Sequence, residues 1–404
     1  MAHVAVFLSR TGRAGAYLVS LIAATMVLLL IVEGGLRLTR HFMHRGDDAK
    51  DSRIEADAYK GEHWVKDCFK ELESISTVWR PYVQWRRDRF SGKYVHVDDR
   101  GVRRTWNPEC AGETGKVKIL MLGGSSLWGF GARDDFTIPS YLSRFVSAST
   151  NRCTEVTNYA ETGYVVTQEV VALIGALQAG FAPDIVIFYD GVNDVFSSFQ
   201  NNTAGLPQNE INRRREFNVL SAKTIPLLWT FGSTLLKRSE TYRAAKAIAA
   251  GRYKAGDGDW TMGYGWAGID KATSERLARE VVRNYRSNMK IVEALGRSFD
   301  FKALFYWQPL VFHKRNSTSY ESQITRRTKE MKDSFLNVYE AVSRSEGPPG
   351  NENFHDLSNI FLDFQGPIFI DLCHVSEKGN EIVARRIASD VLSIVQRMPG
   401  KIPQ

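Results

Sequence analysis

The most regular feature of the chain is an alternation of short apolar runs with longer segments whose apolar residues recur every three or four positions. The runs are Val117–Leu122, Asp184–Tyr189, Phe301–Trp307 and Ile368–Ile370, and the more polar Glu155–Tyr159 reads as a further strand after the first. Val117–Leu122 is nearly unbroken, as a strand buried on both faces requires. Helical spacing fills Gln168–Ala179, Ala272–Phe299 and Ser322–Arg344. Strands joined by helices imply right-handed crossovers, and hence a parallel sheet covered on both sides. The pattern predicts an α/β fold, a three-layer α/β/α sandwich on five parallel strands.

Two regions break the rhythm. Residues 196–270 far exceed one connecting helix and contain Arg213-Arg214-Arg215, an apolar Thr224–Leu236 stretch and a Gly/Trp/Tyr-rich patch from Gly256 to Gly268. This is an insertion, either a lid or substrate platform over the strand ends or a scaffold alone. Residues 58–115 precede the first strand. There Trp79–Trp85 and Gly92–Asp98 place aromatic and β-branched residues among turn formers, predicting short extended pieces packed on the main domain.

The N-terminus has a different pattern. Ala14 to Val32 is uncharged and mostly apolar, and a helix of that length reaches about 28 Å, close to the hydrocarbon thickness of a bilayer. A buried core helix rarely needs apolar residues all round. A cleaved signal would be shorter and end in a small-x-small site, whereas Glu33-Gly34-Gly35-Leu36-Arg37 follows directly. The expectation is an uncleaved N-terminal transmembrane helix within residues 1–40, a polar tether over 41–57, the approach segment over 58–115, and the main domain over 116–395. Arg10 and Arg13 before the span are matched by Arg37, Arg40 and Arg45 after it, so loop charge does not choose the orientation.

Composition narrows the partners. The chain has 404 residues, 43% hydrophobic and 24% charged, with a net charge of +8. This is a globular composition. Acids and bases are interspersed, without a dense basic stripe carrying aromatics, which argues against nucleic acid. Anionic lipid or an acidic glycan suits the charge equally well. Cys68, Cys110, Cys153 and Cys373 contain no C-x-x-C, which disfavours a zinc ribbon. They allow two disulfides in an oxidising compartment, or four free thiols in a reducing one. If the strand order is 2-1-3, Cys110 and Cys153 meet at the sheet's N-terminal edge; elimination then pairs Cys68 with Cys373.

The candidate chemistry sits just past the predicted strands. Gly123-Gly124-Ser125 follows the first, Gly163 the second and Gly191-Val192-Asn193-Asp194 the third; Asp371-Leu372-Cys373-His374 follows the last. In open parallel sheets ligands bind beyond the carboxyl ends of the strands. Alone, Gly-Gly-Ser is a tight turn with a helix-capping serine, Gly163 a turn glycine and Asn193 a loop-supporting turn residue. In D-x-x-H the carboxylate can reach Nδ1–H while Nε2 faces a nucleophile. A metal pair is the rival, but no second His motif lies nearby. His63, His96, His313 and His355 lack such a setting and are expected at the surface or in packing.

Taken together and in this order, the four blocks resemble the SGNH/GDSL hydrolase superfamily from about Lys116 to the C-terminus. One departure is Gly124, where the family carries Asp. The resemblance implies a flavodoxin-like sheet and a serine ester hydrolase. Ser125 would be the nucleophile, His374 the base and Asp371 its orienting acid. Ser125 and Gly163 N–H groups with the Asn193 amide would form the oxyanion hole, with no metal or cofactor. Ser126 is the nearest wrong nucleophile, and Cys373 a thiol that the Ser-Gly-Asn framework leaves without a role. The implied substrate is an acylated small molecule or an envelope or extracellular saccharide, and the implied catalytic domain is extracytoplasmic and membrane-anchored. An O-acetyltransferase using the same acyl-enzyme, or a non-catalytic glycan-binding or assembly component, remains open.

Overall fold

A computed structural model gives the fold and describes residues 20–21, 23–39, 51–109, 115–150, 152–220, 239, 241–242, 269–346 and 352–398. The chain divides into two compact units, residues 1–50 with 212–262, and residues 51–211 with 263–404.

In the first unit, residues 20–21 and 23–39 are helical. Met26 to Val32 and Leu38 are exposed on that helix. Glu33 Oε2 accepts hydrogen bonds from Ser239 Oγ (2.7 Å) and Thr241 N (3.0 Å). No helix among the described residues is long and apolar enough to cross a membrane. Residues 14–19 and 22 of the apolar run lie outside the described residues, as do the Thr224–Leu236 and Gly256–Gly268 stretches.

The second unit begins inside the stretch expected as tether, with 3-10 turns over Ser52–Glu55 and Asp57–Tyr59. Helix α1 (Val65–Ser74) follows, burying Val65, Cys68, Phe69 and Leu72 at helical spacing. The expected extended pieces are the hairpin of β1 (Thr77–Arg80) with β2 (Gln84–Arg87) and the short pair β3 (Phe90–Ser91) with β4 (His96–Val97).

The main sheet contains β5 (Val117–Gly123), β6 (Thr154–Asn158), β7 (Ile185–Asp190), β8 (Lys302–Trp307) and β9 (Phe354–Asp356). All neighbours are parallel, in the order β6-β5-β7-β8-β9. Among the described residues, the further helices are α2 (Ser125–Trp128), α3 (Ile138–Ser149), α4 (Val166–Gln178), α5 (Val192–Asn201), α6 (Glu210–Leu220), α7 (Lys271–Phe299), α8 (Ser319–Arg327), α9 (Lys329–Glu346) and α10 (Glu377–Arg397). The step from β5 to β6 runs one way along the sheet and the step from β6 to β7 runs back. Right-handed crossovers therefore put α3 and α4 on opposite faces. Helix α10 packs on α3, and α7 packs on α4 and α9, completing three layers.

Three expectations need correction. The fifth strand is Phe354–Asp356, not Ile368–Ile370. Residues 368–370 are buried, but their chain folds back on itself: Ile370 N donates to His374 O (3.0 Å) and Ser376 N to Ile368 O (2.8 Å). Their apolar character serves burial of this turn, not sheet pairing. The single helix expected over 322–344 is two, divided at Thr328 (φ −103°, ψ 16°), where Thr328 N bonds back to Ile324 O. The Cys68–Cys373 bridge is absent, because both are buried free thiols. Cys68 Sγ faces Ala132 O from the core side of α1, and Cys373 Sγ faces His374 Nδ1. Cys153 is disulfide-bonded; Cys110 lies outside the described residues.

A buried ion pair joins the approach segment to the loop that follows α2. Arg103, with no exposed surface, donates to Asp134 Oδ1 (3.0 Å) and to the carbonyls of Trp128, Gly129 and Ala132, and lies over the Trp128 ring. Removing one partner of such a pair strands the other charge in the interior. Asp134→Ala is predicted to cost about 3–5 kcal/mol in denaturant unfolding; a loss below about 1 kcal/mol would show that the carbonyls alone satisfy Arg103.

Candidate active site

The strand ends bring the sequence-predicted residues to one edge of the sheet. Strand β5 ends at Gly123, and Ser125 opens α2. Gly163 lies in the turn after β6 with φ +79°, a left-handed backbone that a side chain would strain. Asn193 is in the first turn of α5 after β7, and Asp371 and His374 lie in the loop leading to α10.

Ser125, His374 and Asp371 form one hydrogen-bonded chain. His374 Nε2 is 2.7 Å from Ser125 Oγ, and His374 Nδ1 is 2.7 Å from Asp371 Oδ2. The other Asp371 oxygen accepts from the backbone N–H groups of His374 (2.8 Å) and Cys373 (3.0 Å). With Nδ1–H committed to the carboxylate, Nε2 keeps its lone pair for the serine proton. Ser126 points elsewhere: its Oγ donates to Cys373 O (3.4 Å) and accepts from Gln308 Nε2 (3.2 Å).

Electrostatics follow from burial and partners. Burial opposes the Asp371 charge, but His374, Arg53 and the backbone donors hold its pKa well below the usual carboxylate range. Burial likewise opposes the His374 imidazolium, yet the Asp371 carboxylate raises its pKa above the ordinary histidine value. Burial pushes the Cys373 thiol up, so it is a poor nucleophile despite its place in the turn.

Asn193 stands beside the backbone that leads into Ser125. A Cβ on Gly124 would come within 2.3 Å of Asn193 Nδ2 and 3.8 Å of Tyr164 O. The Gly124 departure from the family pattern thus leaves room for the Asn193 amide. Two buried carboxyl groups brace these loops. Glu161 Oε2 accepts from Arg87 N (2.7 Å) and its Oε1 from Thr162 N (2.7 Å), holding the turn before Gly163. Asp194 Oδ1 accepts from Val166 N (3.1 Å) at the start of α4, tying the Asn193 and Gly163 loops together. Burial raises Asp194 and Glu169 well above the usual carboxylate range and Asp190 to about 6.

Three contributors had no sequence signal. Arg53 Nη1 is 3.4 Å from Asp371 Oδ2, and its guanidinium lies 4.2 Å from the centroid of the Phe130 ring. Phe130 in turn packs against the His374 imidazole, centroids 5.2 Å apart. Gln208, in the insertion, donates to Asn193 Oδ1 (3.2 Å). Arg53 and Gln208 lie in polar stretches that read as linker or loop, and Phe130 lies between two glycines in the turn after α2. Of the remaining histidines, His96 bonds Asp134 (2.9 Å), His313 packs on Tyr339 and His355 stacks on Tyr306.

Asp371, Cys373 and His374 could also offer three metal-ligand atoms within 4.8 Å of one another. The 2.7 Å separation of His374 Nδ1 from Asp371 Oδ2 is a hydrogen bond. Two ligands about 2.0–2.2 Å from a tetrahedral ion would stand farther apart. The arrangement fits proton transfer.

No family model and no curated protein matches the chain. Among solved structures it is similar to a lipase, Lip_vut3, from a goat rumen metagenome, at 11% identity over 68% of this chain and 96% of that one, TM-score 0.38. It is also similar to Axe2, an acetylxylan esterase from Geobacillus stearothermophilus, at 12% identity over 72% and 98%, TM-score 0.35. A third is a putative lipolytic protein of the G-D-S-L family from Desulfitobacterium hafniense DCB-2, at 10% identity over 68% and 98%, TM-score 0.33. In block order and in the geometry of the Ser125, Asn193, Asp371 and His374 cluster, the chain resembles the SGNH/GDSL superfamily.

Arg53 sets a testable sign. Its positive charge beside Asp371 opposes protonation of His374. Arg53→Ala therefore raises the His374 pKa further and moves the acid limb of the kcat/KM profile for an ester substrate to higher pH. The expected loss at pH 7 is about tenfold or more: across the 3.4 Å and 2.7 Å steps from Arg53 through Asp371 to His374, one cation is worth about 2–3 kcal/mol at an effective dielectric of about 20. A limb displaced to lower pH would contradict this reading.

Proposed function

We propose that this chain is a serine ester hydrolase of SGNH/GDSL type. The observation that carries the proposal is the continuous relay from Asp371 through His374 to Ser125, with both contacts to the imidazole at 2.7 Å. His374 takes the Ser125 proton as Oγ attacks the ester carbonyl, and Asp371 stabilises the imidazolium. The N–H groups of Ser125 and Gly163 and the Asn193 amide receive the oxyanion. His374 then protonates the leaving alcohol, and water releases the acyl group from Ser125.

The substrate proposed is an acyl ester of an envelope or extracellular saccharide. The superfamily resemblance is its support, and the disulfide at Cys153 supports an oxidising compartment. The Ala14–Val32 run is proposed as an uncleaved anchor, with the catalytic unit outside the cytoplasm. Its exposed apolar residues from Met26 to Val32 support that reading.

Two measurements test these statements. On p-nitrophenyl acetate and acetylated glycans, Ser125→Ala and His374→Ala should lower kcat by about 10⁴-fold with folding intact. Ser126→Ala should keep most activity; loss in Ser126→Ala with retention in Ser125→Ala would reverse the nucleophile. Turnover that requires an added sugar acceptor would assign an acyltransferase instead of a hydrolase. Full-length protein should resist carbonate extraction from membranes, and a mature N-terminus beginning after Val32 would overturn the anchor.

A further inference from the structure

Asn193 can serve an oxyanion only if its amide presents nitrogen, not oxygen, to the site. The two ends of a carboxamide are nearly equal in size, so packing alone does not choose between them. The choice is made by what the far end meets. Here Asn193 Oδ1 accepts from Gln208 Nε2 at 3.2 Å, and Asn193 Nδ2 is the atom that lies against Gly124. The Gln208 head also covers Gly163: a Cβ built there would stand 3.2 Å from Gln208 Oε1 and 3.5 Å from its Cδ. One side chain therefore lies against both loops expected to donate to the oxyanion.

The turn that carries Gln208 is itself fixed by α5, the helix whose first turn holds Asn193. Ser197 Oγ donates to Leu206 O (2.5 Å), Asn201 Nδ2 to Pro207 O (3.0 Å), and Asn209 N to Gln200 Oε1 (2.6 Å). Ser197, Gln200 and Asn201 are buried. Asn209 adopts a left-handed backbone, φ +62°, which asparagine tolerates better than most residues. The Gln208 amide is thus held on a frame built from the same helix as its partner.

We infer that Gln208 is a positioning residue for the oxyanion hole, locking the Asn193 amide with Nδ2 toward the nucleophile and acting only through Asn193. The inference rests on the esterase reading of this site. Without the Gln208 donor, the Asn193 amide can rotate and present Oδ1, an acceptor, to developing negative charge. Replacement by glutamate keeps the shape but reverses the preference, because a carboxylate draws Nδ2 toward itself.

The test uses the full-length chain, with p-nitrophenyl acetate turnover and the rate of Ser125 labelling by a fluorophosphonate as parallel readouts. The phosphoryl oxygen needs the same donors as the ester oxyanion, whatever the natural acyl group. Gln208→Ala and Gln208→Glu should each lower kcat and the labelling rate by about ten- to hundredfold, with KM little changed. In an Asn193→Ala background, Gln208→Ala should add less than about twofold, the non-additivity of one shared unit. Wild-type rates in Gln208→Glu would reduce Gln208 to a space-filler, and additive losses would show that it does not act through Asn193; either overturns the inference. Full activity and labelling in Ser125→Ala would instead overturn the esterase reading, independently of any Gln208 result. If Gln208→Ala fails to fold, the isosteric Gln208→Glu carries the comparison alone.

Discussion

The Asp371 carboxylate organises the site, and its four contacts explain why the rest of the catalytic edge is arranged as it is. One oxygen is held by the backbone N–H groups of Cys373 and His374, the other by His374 Nδ1 and Arg53. A buried carboxylate with so many donors stays ionised, and an ionised Asp371 fixes the tautomer and ring position of His374. The turn that carries both residues is secured in turn. Glu321 Oε1 accepts from Ile368 N (2.9 Å) and Phe369 N (3.0 Å), while its other oxygen pairs with buried Lys314 at 2.6 Å. Losing this support would move the base before it moved the nucleophile.

The nucleophile's side is built differently. Ser125 follows a strand buried along nearly its whole length, so its position is set by the sheet core. The donors proposed for the oxyanion come from two neighbouring loops that must agree with it and with each other. Asp194, Glu161 and Gln208 make those agreements, each through hydrogen bonds between a loop and its neighbour. Burial raises the pKa of Asp194 and Glu169 well above the usual carboxylate range, which disfavours negative charge beside these loops.

What could be recognised from sequence follows the same physics. Strand β5 was plain because burial on both faces demands an apolar run, and the blocks after β5 and β7 stood out because each follows such a run, whereas β6 is more polar and its burial alternates along the strand. Phe354–Asp356 gave no such signal: three residues, one a histidine and one an aspartate, form an edge strand with only β8 beside it. Ile368–Ile370 gave a false one, because a buried turn needs apolar residues as much as a strand does. Arg53 and Gln208 escaped because their roles come from long-range contact. Arg53 reaches Asp371 across 318 positions, and no local pattern in a polar stretch encodes such a meeting. The cysteine elimination failed for a related reason: Cys68 belongs to the apolar face of α1, where a thiol serves as a small core residue.

The central claim is that Ser125 is an activated nucleophile, and covalent trapping tests it most directly. Intact-mass analysis of the full-length chain after fluorophosphonate treatment, followed by peptide mapping, should show a single adduct on Ser125, absent when His374 is replaced by alanine. No adduct on the folded protein, or an adduct on Ser126 or Cys373, would contradict the account.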